Sequence, residues 1–187
     1  MKKIIISKSV NDKGTVLSVN NKIVFFENKK NKNDLYSLFD FTTKLISAVT
    51  GDEVSKCQKT SCKPMFEMTV DAPLNLELVF IDETKVSDSY YYGTLFLNGQ
   101  PLTSENEDGI NSDFSIKQIA ENLSSALGCE LLTPFLRQVQ LAEYIAKKES
   151  RMEEFLARDR ADCYLSNFTC GYDDLDLFEA AKMFALI

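Results

Sequence analysis

The sequence predicts an α+β fold: an antiparallel sheet of about six strands, ordered βββ-α-βββ, followed by a C-terminal helical region with one long helix. Three observations carry this. Apolar runs of strand length fill the first 98 residues, separated by turns rich in Asn and Gly. After residue 113 the apolar residues recur at helical spacing instead. Strands first and helices after is the order of an α+β chain, not of alternating βαβ units. The chain divides into 1–98, mainly sheet with one helix, and 113–187, helical. The second part packs on the sheet as one compact unit or stands as a small subdomain.

Residues 4–10 and 15–19 form a hairpin across Asn11-Asp12-Lys13-Gly14, whose closing glycine can take positive φ. Asn20-Asn21 turns the chain into a strand over 22–27, where Ile23-Val24-Phe25-Phe26 predicts burial on both faces. Asn33 or Asp34 caps a helix bearing Leu35, Leu38, Phe39, Leu45, Ile46 and Val49, and Gly51 ends it. Residues 51–63 read as loop. Strands over 65–70, 74–81 and 90–97 follow. In the second, Leu74, Leu76, Leu78 and Phe80 alternate with mostly polar neighbours, which predicts one wet face. Asn98-Gly99 is a turn, and 101–109 a polar loop.

Ser115 and Gln118 make a capping box for a helix carrying Ile116, Ile119, Ala120, Leu123, Ala126 and Leu127, closed by Gly128. Thr133 then suits an N-cap and Pro134 the first helical position. A helix from there to residue 165 would be roughly 48 Å long at ~1.5 Å per residue, more than a small domain spans. It either breaks near Ser150, or its far end docks elsewhere, for instance on a second copy. Asp173 or Asp174 caps a terminal helix over 175–186.

A chain of 187 residues with 44% hydrophobic and 26% charged residues is ordinary for one globular domain. No apolar run reaches transmembrane length. The apolar run of Met1–Ile6 is too short for a signal peptide, so the expected location is cytoplasmic, host cytoplasm if the chain is phage-encoded. The Asn, Lys, Ile and Phe usage suits an AT-rich genome, phage included. Five scattered cysteines read as reduced thiols. The absence of His removes the commonest general base and metal ligand. Charge is split. Residues 1–63 carry twelve lysines against six acids, and the remainder nine basic residues against 22 acids. That favours pairing of a basic end with an acidic body, within the molecule or between copies.

No motif for chemistry stands out. Cys57, Cys62, Cys163 and Cys170 are spaced more loosely than zinc ligands usually are. Cys57 and Cys62, among Lys56, Lys59 and Lys63, form the one electropositive thiol setting and a conceivable redox pair. Two acidic groups, Asp173-Asp174-Asp176 and Glu105-Glu107-Asp108, read as solvated. Glycines are too few and scattered for a phosphate cradle. The connector with Lys29, Lys30 and Lys32 beside Phe25 and Phe26 is the candidate for nucleic-acid contact.

Asp174-Leu175-Asp176-Leu177-Phe178 resembles the pentapeptide with which bacterial replication and repair proteins dock on the sliding clamp, although Asp174 stands where that motif has Gln. The resemblance implies an accessory role in nucleic-acid transactions. The same residues also read as the first core turn of the terminal helix.

The expectation is therefore a non-enzymatic protein-binding module, an inhibitor, chaperone, adaptor or assembly component, without cofactor or metal. Its partner is another protein or itself. Nucleic acid ranks behind, and no membrane contact is expected. The candidate interface residues are Phe155, Leu156, Leu177, Phe178, Met183 and Phe184 on the helical end, with Tyr90 and Tyr92 on the sheet. The alternatives are the nucleic-acid accessory role and an enzyme of unfamiliar type using cysteine or carboxylates.

Overall fold

The computed structural model describes residues 1–28, 35–83, 93–105, 114–149 and 174–187. They form two sheets and five helices. The first sheet is antiparallel. It joins β1 (Lys2–Val10), β2 (Gly14–Val19), β3 (Lys22–Asn28) and β4 (Phe66–Ala72) in the order β3-β2-β1-β4. The second is mixed. Strands β7 (Gln100–Glu105), β6 (Gly93–Leu97) and β5 (Leu78–Glu83) are antiparallel neighbours, and β8 (Leu131–Leu132) and β9 (Phe135–Leu136) add to β5 in parallel. The α+β class holds. The single antiparallel sheet gives way to two sheets.

Between the sheets lie α1 (Leu35–Thr50) and α3 (Ile116–Leu127), and α2 (Val54–Ser61) packs beside α1. Helices α4 (Gln138–Lys148) and α5 (Asp174–Met183) cover the other face of the second sheet. Alternation in β5 and β6 divides the cores. Leu78, Phe80, Leu95 and Leu97 point toward α1 and α3, while Val79, Ile81 and Phe96 point toward α4 and α5.

That double cover corrects the wet face expected for 74–81. Strand β5 begins only at Leu78, and Leu78 to Ile81 are all buried. Every residue of β6 is buried as well. The first sheet is the one with a solvent face. There Ile23 is half exposed and Phe26 only partly covered, against the expected burial on both faces. A bulge between Leu17 and Ser18 lets Val24 and Phe25 both face inward.

The turns follow their residues. Asn20-Asn21 and Asn98-Gly99 take positive φ at both positions, as two-residue hairpin turns require. Gly14 does not owe its place to positive φ. A Cβ there would lie 2.0 Å from the Glu27 carbonyl oxygen, so the close approach of β2 and β3 demands it. Gly51 and Gly128 end α1 and α3 in the left-handed conformation. The capping box of Ser115 and Gln118 is formed.

Two loops of the sequence reading are structured. Residues 54–61 are helical although only Cys57 and Ser61 are buried, so the apolar stripe is nearly absent. Strand β7 occupies part of the expected polar loop, with Pro101 on a sheet edge where its missing N–H does no harm. Thr133-Pro134 does not start a helix. It interrupts an edge strand between β8 and β9, and α4 begins at Gln138, whose neighbour Arg137 donates its N–H to the Gln140 side chain at 3.0 Å. Helix α4 ends at Lys148, and the remainder of the expected long helix lies outside the described residues.

Gly14→Ala is expected to cost roughly 1–3 kcal/mol, because backbone must move to admit the methyl group. Gly51→Ala, with open space around it, should cost about 1–2 kcal/mol from left-handed strain alone. Urea unfolding of the two variants checks that Gly14→Ala is the more destabilised.

Candidate functional site

The C-terminal layer is where the sequence places its interface. Helices α4 and α5 run antiparallel: Lys148 pairs with Asp176 at 2.5 Å, and the Tyr144 hydroxyl donates to Glu179. Their inner faces, Leu141, Ala142, Ile145 and Ala146 with Leu177, Phe178, Ala180 and Ala181, bury against the second sheet. The ring of Phe178 lies 5.1 Å from that of Phe96 and under the Lys182 ammonium at 4.4 Å.

Of the expected interface residues, Leu177 (2% exposed) and Phe178 (6%) are thus core. The 3.6-residue stripe turns them inward because sheet residues Val79, Ile81 and Phe96 need cover on that side. Phe184 is partly buried against the same cluster. Met183 is exposed at 40%. Phe155, Leu156, Tyr90 and Tyr92 lie outside the described residues, as do Lys29, Lys30 and Lys32. Besides Met183, the layer exposes Val139 in the first turn of α4 and Leu175 in the first turn of α5, which the sequence reading did not name as interface, and Phe135 is exposed on β9 (52%). Two of them sit on the periodic stripes, and only the tertiary arrangement decides which stripe positions face out.

The clamp-like pentapeptide is the first turn of α5, with Asp176, Leu177 and Phe178 buried. Asp174 and Asp176 occupy the positive end of that helix, and Asp176 carries the ion pair to Lys148. Asp173, Glu107 and Asp108 lie outside the described residues.

The thiols separate. Cys57 is buried, and burial pushes its pKa up. Cys129 is half-buried and likewise raised by burial. Cys62 is exposed and its thiol donates to the Lys59 carbonyl at 3.2 Å. Cys57 and Cys62 are not a redox pair. Five residues of helical rise separate them by about 7.5 Å along the axis, beyond the ~7 Å limit for bridged Cα atoms. Among the described residues no group of three or more ligating side chains could hold a metal ion. Cys163 and Cys170 lie outside them.

Cys62 shares a cavity with Lys8, a lysine from outside its own segment. A cavity of about 420 Å³ opens at the end of the first sheet, lined by Lys8, Thr15, Glu27, Ser61 and Cys62 among others. Lys8 and Glu27 are both more than nine-tenths buried. They extend the inward alternations Ile4, Ile6, Lys8 and Phe25, Glu27, where the next residue should be apolar. The sequence reading missed them. The signal was there as a charge in phase with a core stripe. The Lys8 ammonium donates to the Ser61 carbonyl and lies 5.7 Å from the centre of the Phe66 ring. Burial lowers its pKa, against the opposing charges of Cys62 and Glu27.

No protein-family model matches this chain, and neither a curated protein nor a solved structure does.

Burial and the Glu179 acceptor hold the Tyr144 pKa well above its usual value. The unfolded chain therefore releases this proton first, and the linked stability is lost as pH rises above the ordinary tyrosine range of about 10. Tyr144→Phe should show a shallower alkaline fall of stability than the parent, measured by urea unfolding from pH 8 to 11. Identical falls would contradict this burial of the phenol.

Proposed function

We propose that this chain is a non-enzymatic protein-binding module that associates with a second copy of itself through its C-terminal helical layer. The observation that supports it is the exposure of Val139, Leu175 and Met183 on one helical layer whose inner face is already committed to the sheet. Met is enriched at interfaces relative to the rest of the surface, which favours Met183 as the centre of the contact. The split of charge, basic in residues 1–63 and acidic beyond, supplies complementary surfaces for a second copy. Part of that complementarity is used internally. Lys2 and Lys22 donate to the Leu127 and Ser125 carbonyls at 2.8 and 2.9 Å, at the negative end of α3. Lys3 pairs with Asp71 on the exposed face of the first sheet.

Docking on a sliding clamp has less support. Presenting Leu177 and Phe178 to a partner requires α5 to leave the second core. The thiols and carboxylates described above supply no paired nucleophile and base.

The test is the solution mass by light scattering at low and high salt. A dimer of twice 21.2 kDa is expected. The pair Leu175→Glu and Met183→Glu should return it to monomer with stability changed by no more than about 0.5 kcal/mol, since both side chains are largely outside the core. A parent that is monomeric at every concentration and salt would remove the self-association reading.

A further inference from the structure

We propose that Lys8 is a reactive amine and that small apolar aldehydes condense with it inside the cavity at the end of the first sheet.

At about 420 Å³ the cavity falls in the size range of small-molecule sites, roughly 300–1,000 Å³. Val10, Leu38, Phe39 and Pro64 line it and suit an aryl or short alkyl body. Lys8 lines it too, in the inward row of β1 that Ile4 and Ile6 begin. At 7% exposure it is the one buried lysine among the described residues. Its strand fixes the stem. Its nitrogen is held at the end of α2, where the Ser61 carbonyl accepts from it, 5.7 Å from the centre of the Phe66 ring. A surface lysine keeps its ammonium in water, and Lys8 is placed where it cannot.

Desolvation is what makes a lysine nucleophilic, because it disfavours the ammonium and raises the share of neutral amine. At Lys8 this effect outweighs the opposing charges of Cys62 and of Glu27 on β3, so the pKa lies below the ordinary lysine value. The neutral amine still has an N–H for the Ser61 carbonyl, and it has a lone pair for an electrophile. The class of ligand follows from that lone pair and from the apolar walls, not from the charge of the cavity. The nitrogen adds to the aldehyde carbon, forming a C–N bond, while one amine proton passes to the carbonyl oxygen. The resulting carbinolamine loses its hydroxyl with the second amine proton as water, which leaves the imine. The step needs no oxidant or reductant, and water reverses it.

The experiment incubates the full chain with benzaldehyde or with formaldehyde in the presence of cyanoborohydride, which reduces each imine to a stable secondary amine. Peptide mass spectrometry then maps the labelled lysines. With benzaldehyde at pH 7, Lys8 should be labelled at least about tenfold faster than the exposed Lys3 and Lys147, at a rate that saturates with benzaldehyde. The advantage should shrink toward about pH 10, where ordinary lysines also lose their protons. Formaldehyde has no apolar body and should prefer Lys8 less. Val10→Trp fills a half-exposed wall of the cavity and should slow benzaldehyde labelling of Lys8 without changing that of Lys3. Labelling of Lys8 no faster than that of Lys3 at pH 7 would overturn the proposal. So would equal preference with the two aldehydes, or an unchanged Lys8 rate in Val10→Trp.

Discussion

The rest of the structure depends on the burial of the second sheet on both of its faces. Strands β5 and β6 are apolar on both sides, so neither core can exist without the other's sheet residues. A strand with side chains alternating between two cores ties them together through its backbone. The first core then needs α1, α3 and the inner face of the first sheet. The second needs α4 and α5. Helix packing here is a consequence of the sheet's demand for cover more than of helix propensity, which is weak in α2 with its Val, Ser, Cys and Thr.

Polar groups are arranged to leave this frame undisturbed. Asn98 joins the frame at one corner: its side chain donates to the Ala48 carbonyl at the end of α1 and accepts from the Glu77 N–H. Asn20 does the same service for α3, donating to the Ala126 carbonyl at 2.9 Å. Both stand in turns with left-handed backbone, so one residue type supplies the turn and closes a helix end. Lys8 and Glu27 are the exception. They place two charges at the end of a core stripe, where an apolar pair would have continued the sheet's packing.

The sequence made legible those parts that local rules decide. The first three strands, α1, α3 and the turns at Asn20-Asn21 and Asn98-Gly99 were all readable, because caps, glycines and periodicity act within a few residues. What failed depends on partners far along the chain. Thr133-Pro134 has the chemistry of a helix start, yet Leu131 to Leu136 can add to β5, and the edge pairing wins. The β5 alternation looked half wet because nothing local reveals that α4 and α5 return to cover it. In α5, composition shows an apolar helix but not which side is inward, so Leu177 and Phe178 stood beside Met183 as interface candidates although they are core, while the exposed Leu175 was not among them. The Lys8–Glu27 cavity was half visible, as charges in phase with apolar rows on two strands whose pairing through β2 only the fold reveals.

Native-state hydrogen exchange tests the central claim most directly. If β6 is shared by both cores, the amides of Leu95, Phe96 and Leu97 should exchange only by global unfolding, with the same free energy as that from denaturant. Exchange of these amides through a cheaper opening, with the first sheet still protected, would show that the second sheet is not the common centre of the fold.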